Sequence, residues 1–175
     1  WSILPLFWCW ATVGQAQIEP LPKTGVELHL LTWNVQFLPR SMRLFSKALR
    51  KRQQVRTPWV VEHCQSTDYD VIVFQEVFDR RILKQMQQAL KADYPYQVAP
   101  LRQKGRLTSS GILVVSKYPM EQVGAVVYSK GVGADAWAAK GCTLVRLTKD
   151  GSAIYIAGTH LQAGQRPEDR AQLAL

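Results

Sequence analysis

The run Asp70-Val71-Ile72-Val73-Phe74-Gln75 constrains the fold more than any other stretch of the chain. Its apolar residues are contiguous, β-branched or aromatic, and bounded by polar residues at helix-incompatible length. That pattern predicts a strand buried on both faces, which requires a packed layer on each side. Further strand-length runs lie at 28–35 (LHLLTWNV), 111–116 (GILVVS), 122–128 (QVGAVVY), 142–147 (CTLVRL) and 153–157 (AIYIA). The turn signals Lys117-Tyr118-Pro119 and Lys149-Asp150-Gly151 separate the later runs and predict antiparallel neighbours. Two helices complete the pattern. Asp79 is placed to cap one whose apolar positions Ile82, Leu83, Met86, Ala89 and Leu90 follow the 3.6-residue period. The other covers 42–63, with a break expected near Pro58, because proline removes a backbone donor and clashes with the preceding turn. Its Lys47, Arg50, Lys51, Arg52 and Arg56 form the densest basic cluster and read as a solvated helix face. The order is βαβα, a meander of strands, and the start of another helix at Pro167-Glu168-Asp169, which defines a mixed α/β layered domain.

The charge balance narrows the partners. Lys and Arg number 22 against 13 Asp and Glu, a net +9, so an anionic partner is expected: nucleic acid, a phosphorylated substrate or a membrane surface. With 47% apolar residues the chain can build a core, which excludes wholesale disorder. Residues 1–16 (WSILPLFWCWATVGQA) carry no charge; their apolar run is too short for the roughly 20 residues that span a bilayer, and Gly14 and Ala16 fit the −3 and −1 positions of a signal-peptidase site. We therefore expect a secretory signal at 1–16, lacking its initiator Met and basic n-region, followed by one domain over 17–175, in a secreted or periplasmic protein. Past such a cleavage Cys64 and Cys142 remain, either bonded to each other or as two separate buried thiols.

The chain has no G-x-S-x-G, no H-E-x-x-H and no Walker loop, and its three histidines, His29, His63 and His160, are too scattered for a histidine-rich zinc site. What remains is a set of polar residues at the ends of apolar strands: Asn34 after LLTW, Glu76 after VIVFQ and His160 after IYIAGT. A carboxylate beside an amide oxygen suits Mg²⁺, which prefers oxygen ligands and keeps several waters. A histidine facing it can hydrogen-bond a phosphoryl oxygen or move a proton. Each residue also has an ordinary structural explanation. Asn34 can cap a turn, Glu76 can pair with a Lys or Arg, and His160 can be a satisfied half-buried histidine. His29 reads as the polar face of a strand and His63 as a helix-end residue.

Four segments resemble the endonuclease/exonuclease/phosphatase superfamily in content and order: Thr32-Trp33-Asn34-Val35, Phe74-Gln75-Glu76-Val77-Phe78-Asp79, Ser110-Gly111-Ile112-Leu113-Val114-Val115-Ser116-Lys117-Tyr118-Pro119 and Gly158-Thr159-His160-Leu161-Gln162-Ala163. Leu38-Pro39, Glu76-Val77-Phe78-Asp79, Lys130-Gly131-Val132-Gly133-Ala134-Asp135 and Ala139-Lys140-Gly141 narrow the resemblance to secreted bacterial-type neutral sphingomyelinases. It runs from about residue 28 to the end.

The resemblance implies a four-layer α/β sandwich, of which this chain supplies the N-terminal half to two-thirds, and a divalent-metal phosphodiesterase. In that reading Glu76 ligates Mg²⁺, with Asn34 beside it or one water away. His160 binds the scissile phosphate, and Asp135 and Lys140 lie on a substrate-proximal loop. Water would attack phosphorus in line, releasing ceramide and phosphocholine from sphingomyelin or a related phospholipid at a membrane surface, with no stable protein partner. The family's Asp-x-Asn pair and its closing Asp-His pair, which carries the expected general base, have no counterpart in the sequence. The segment by itself is accordingly expected neither to fold stably nor to turn over substrate. Arg80 stands where secreted members carry a ligand for a peripheral cation. Two other readings remain open: a Mg²⁺-dependent DNA endonuclease of the same superfamily, compatible with the +9 charge, and a non-catalytic membrane- or nucleic-acid-binding module.

Overall fold

The computed structural model describes residues 25–39, 47–128 and 137–161. The elements run β1 (Leu30–Phe37), α1 (Lys47–Ser66), β2 (Val71–Val77), α2 (Arg80–Leu90), β3 (Tyr96–Val98), β4 (Leu113–Ser116), β5 (Met120–Val127), β6 (Gly141–Lys149) and β7 (Ser152–Thr159). They form a four-stranded sheet in the order β1-β2-β4-β3 and a three-stranded sheet in the order β5-β6-β7. In the first sheet β1 is parallel to β2 while β4 is antiparallel to both β2 and β3.

The contiguous apolar run of β2 has the cause its sequence implied. Ile72 and Phe74 pack with Val60, Val61 and Cys64 of α1 and with Ile82, Met86 and Leu90 of α2. Val71 and Val73, on the opposite face, pack with Val145 and Leu147 of β6 and Ile156 of β7. Strand β4 divides in the same way, Leu113 and Val115 toward the helices and Val114 toward the second sheet. Helices, first sheet and second sheet thus make three layers among the described residues. Val123, Val126 and Tyr155 of the second sheet stay exposed. Among the described residues no helix is long and apolar enough to cross a membrane.

Three expectations need correction. The turn at Lys117-Tyr118-Pro119 does not join antiparallel neighbours: β4 belongs to the first sheet and β5 to the second, and the turn carries the chain across the gap between them. Tyr118 and Met120 pack into the inter-sheet core there, which a hairpin would have left on one surface. Helix α1 continues through Pro58 to Ser66. Pro58 faces solvent, so water can solvate the carbonyl that it leaves without a donor. The three-residue β3, between Pro95 and Pro100, is too short to show an alternation and was not expected.

The other signals hold. Asp79 caps α2, its Oδ1 accepting from the amides of Arg81 (2.8 Å) and Ile82 (3.2 Å). Asp150 and Gly151 join β6 to β7 as a two-residue hairpin loop, both at positive φ (51° and 76°), the geometry that Asp-Gly tolerates best. Cys64 and Cys142 are unbonded, the first buried and the second half-buried; burial pushes the Cys64 thiol up to about 12. In the basic cluster Lys47, Lys51 and Arg52 are exposed, whereas Arg56 reaches back to donate to the Val35 carbonyl (2.9 Å) and lies over the Phe37 ring. Residues 1–16, Asp135 and Pro167-Glu168-Asp169, for which the sequence predicts a secretory signal, a substrate-proximal loop and a helix start, lie outside the described residues.

An ion pair ties the two sheets at the end opposite the strand mouths. Lys149 Nζ, at the end of β6, donates to Asp70 Oδ2 (2.8 Å), which also accepts from the His29 amide (2.8 Å). Burial pushes the Asp70 carboxyl up, but those two hydrogen bonds outweigh it and hold the group below its ordinary value of 3.8. A depressed folded-state value means that the contribution to stability is complete above the unfolded pKa and is lost as pH falls through the folded one. Asp70→Asn is expected to destabilise the protein at neutral pH, because Lys149 keeps its bond to the Glu27 carbonyl (2.7 Å) but loses its counter-charge. In urea unfolding followed down the pH scale, the gap between variant and wild type should close in strong acid.

Candidate active site

The site is built where β1, β2 and β7 end together. Between the pairs Asn34↔Gln75 and Phe37↔Val77, β1 spends one residue more than β2, a bulge that places Gln36 at φ 51°. The bulge lets Asn34 Oδ1 accept from the Gln36 amide (3.1 Å), which fixes the side-chain amide so that Nδ2 donates to Glu76 Oε1 (2.9 Å). Glu76 itself sits at φ 62°, the left-handed region that costs a non-glycine residue about 1–3 kcal/mol. The neighbouring backbone holds it there: Val77 donates to Gly111 (2.9 Å), and Phe78 and Asp79 both donate to the Phe37 carbonyl (2.9 and 3.0 Å).

His160 follows β7, where its amide donates to the Gly141 carbonyl (3.3 Å). Its Nε2 lies 3.4 Å from Glu76 Oε1, and the two side chains are only 11% and 20% exposed. The other ring nitrogen, Nδ1, is buried and has no hydrogen-bond partner among the described residues. Phe78 packs its ring against the imidazole, centroids 5.9 Å apart. Lys140, just before β6, is 5% exposed and donates to the Leu161 carbonyl (3.0 Å).

The hydrogen bond from His160, opposed by burial and reinforced by the Asn34 amide and the charges of His160 and Lys140, holds the Glu76 carboxyl below the usual carboxylate range. Glu76 is therefore an anion at neutral pH in a half-buried cleft. Among the described residues no three or more His, Cys, Asp or Glu side chains converge. The Glu76 carboxylate fits a hard cation that retains most of its water; Asn34 turns its amide nitrogen toward that carboxylate, while its Oδ1 keeps one lone pair after accepting from Gln36.

The structure thus brings together Asn34, Glu76 and His160, with Lys140 close enough to bias Glu76, while Asp135 falls outside the described residues. His29 and His63 lie elsewhere, the first bonded to Asp68 and Glu27, the second edge-on to Trp33. Sequence reasoning overlooked Phe78 as the side chain that flanks the imidazole. Its signal was present in the segment from Phe74 to Asp79, but an aromatic after a strand reads as core.

Comparisons with known proteins assign this α/β layered fold, with a carboxylate, an amide and a histidine brought together at neighbouring strands, to a class of proteins. Residues 31–175 match the model of the Endonuclease/Exonuclease/phosphatase family, and the chain belongs to that family. It is 33% identical over 150 residues to Sphingomyelinase C of Leptospira interrogans, covering 78% of this chain and 26% of that protein. It is 32% identical over 108 residues to Sphingomyelinase C of Bacillus cereus, covering 54% and 32%. Among solved structures, Sphingomyelinase C from Streptomyces griseocarneus superposes with a TM-score of 0.68 at 25% identity, over 82% of this chain and 53% of that one. A variant of beta toxin from Staphylococcus aureus with bound magnesium ions gives 0.66 at 26% identity, over 81% and 52%. The chain spans about a quarter to a third of the length of these curated relatives and about half of these solved chains.

Proposed function

We propose that this chain forms the N-terminal part of a metal-dependent phosphodiesterase domain that hydrolyses sphingomyelin to ceramide and phosphocholine, in a secreted or periplasmic protein. The observation that carries the reading is the shared cleft of Asn34, Glu76 and His160, with Glu76 held ionised. Glu76, oriented by the Asn34 amide, would hold Mg²⁺ or another divalent cation, which supplies charge neutralisation at the phosphate and at the leaving oxygen. His160, whose Nε2 faces Glu76 in the free cleft, would turn that nitrogen to a non-bridging phosphate oxygen when substrate enters, and Phe78 restricts its ring. Lys140 adds positive charge, with Asp135 assigned beside it by resemblance. A water oxygen bonds to phosphorus as the bond from phosphorus to the ceramide oxygen breaks, and the ceramide oxygen leaves with a proton. An acceptor elsewhere in the complete domain is expected to satisfy the buried Nδ1 and fix the tautomer of His160.

The test is phosphocholine release from sphingomyelin vesicles by the full-length protein. Activity is expected with Mg²⁺ and none after EDTA, while residues 17–175 alone should release none. Hydrolysis of DNA with no attack on sphingomyelin would move the assignment to a nuclease of the same family. Folded protein with neither activity would leave only a binding module.

A further inference from the structure

Beyond the Glu76 cleft, on the far side of Phe78, lies a cavity of about 390 Å³ between the start of α2 and the segment 100–109. Three arginines are among its lining residues, Arg80, Arg81 and Arg102, together with the hydroxyl residues Thr108 and Ser109. All three arginines are exposed, and none has an ion pair or a side-chain hydrogen bond among the described residues. The single carboxylate in the lining, Asp79, is 5% exposed and already accepts from the α2 amides of Arg81 and Ile82, so it neutralises little of this charge. Three arginines along one concave surface, with no counter-ion among the described residues, favour a tetrahedral oxyanion, which accepts paired N–H bonds from arginine. The same charges repel a cation, so the residues here do not fit the peripheral cation that the family resemblance places at the position of Arg80.

We propose that this pocket is a phosphate-group binding site, separate from the Glu76–His160 cleft and independent of hydrolysis. Its rim argues for a phosphate carried on a lipid: Leu107 in the wall is 60% exposed, and Trp137, whose carbonyl accepts from the Leu107 amide (2.9 Å), is 59% exposed. Two large apolar side chains beside an arginine pocket suit an interface where headgroup phosphates lie next to acyl chains.

The experiment compares full-length wild type with R80Q/R102Q and with R102E, in two arms. One is sedimentation with phosphatidylcholine vesicles with and without phosphatidylglycerol; the other is calorimetric titration with inorganic phosphate. Both variants should weaken binding about tenfold or more in at least one arm, at roughly fivefold per arginine. Losses confined to the phosphatidylglycerol vesicles identify a lipid phosphate, and losses confined to the titration identify a free one. A third variant, K51Q/R52Q on the exposed face of α1, removes two charges elsewhere and should leave both arms unchanged. Equal losses in that variant, or wild-type binding by R80Q/R102Q and R102E, would overturn the site. Because the readout is binding, absence of sphingomyelin hydrolysis bears on the proposed activity and not on this pocket.

Discussion

Glu76→Gln is expected to reduce phosphocholine release by the full-length protein roughly a thousandfold or more while leaving the fold intact. Gln has the same shape as Glu and an oxygen that can still accept from the Asn34 amide, so the bulged end of β1 and the cap of α2 need not move. What disappears is the negative charge that the surroundings hold ionised, and with it the strongest attraction that the cleft offers a divalent cation. Two measurements separate this from simple damage. The unfolding midpoint should stay near that of wild type, and calorimetric titration with Mg²⁺ should lose its binding heat. A variant that retains activity within tenfold of wild type would show that Glu76 does not hold the metal.

Gly141→Ala is expected to be the most damaging single methyl addition among the described glycines. A Cβ at Gly141 would run into the backbone carbonyl oxygen of Val126 on the paired strand β5, and a backbone group cannot rotate aside as a side chain can. The ladder between β5 and β6 must open or slide, at a cost of about 3 kcal/mol. The consequence reaches the cleft, because the Gly141 carbonyl accepts from the His160 amide and the Thr159 hydroxyl, and the Lys140 carbonyl accepts from the Tyr128 amide. Activity should therefore fall along with thermal stability. Gly124→Ala is the control: a Cβ there meets only the Leu144 side chain at 3.5 Å, an ordinary contact, and should be tolerated. Equal stability of the two variants would refute the close-approach argument.

Much of the site was legible because its residues end strands whose apolar runs announce themselves. Asn34, Glu76 and His160 each close such a run, and a polar residue at that boundary must face the sheet's mouth. Asp79 was legible as a cap because the 3.6-residue period begins directly after it. The conformation of Glu76 was not: nothing in the composition of the segment forces a left-handed carboxylate, and only the bonds from Phe78 and Asp79 to Phe37, and from Val77 to Gly111, hold it. Arg56 was equally opaque. On the helix it belongs to a basic face, and its bond to Val35 exists only because α1 lies against the end of β1.

By itself, then, the amino-acid order determined the strands other than the three-residue β3, the presence of two helices, where α2 begins, and that β2 must be covered on both sides, since periodicity, capping and burial are local properties of the chain. Only the tertiary structure decided that β4 and β5 belong to different sheets and that α1 runs through Pro58. It also decided that three polar strand ends separated by up to 126 positions meet within hydrogen-bonding reach. Strand partners are chosen by long-range packing of side chains such as Tyr118 and Met120 against β6 and β7. That choice depends on which surfaces remain to be covered once the local elements exist, and no window of neighbouring residues contains it.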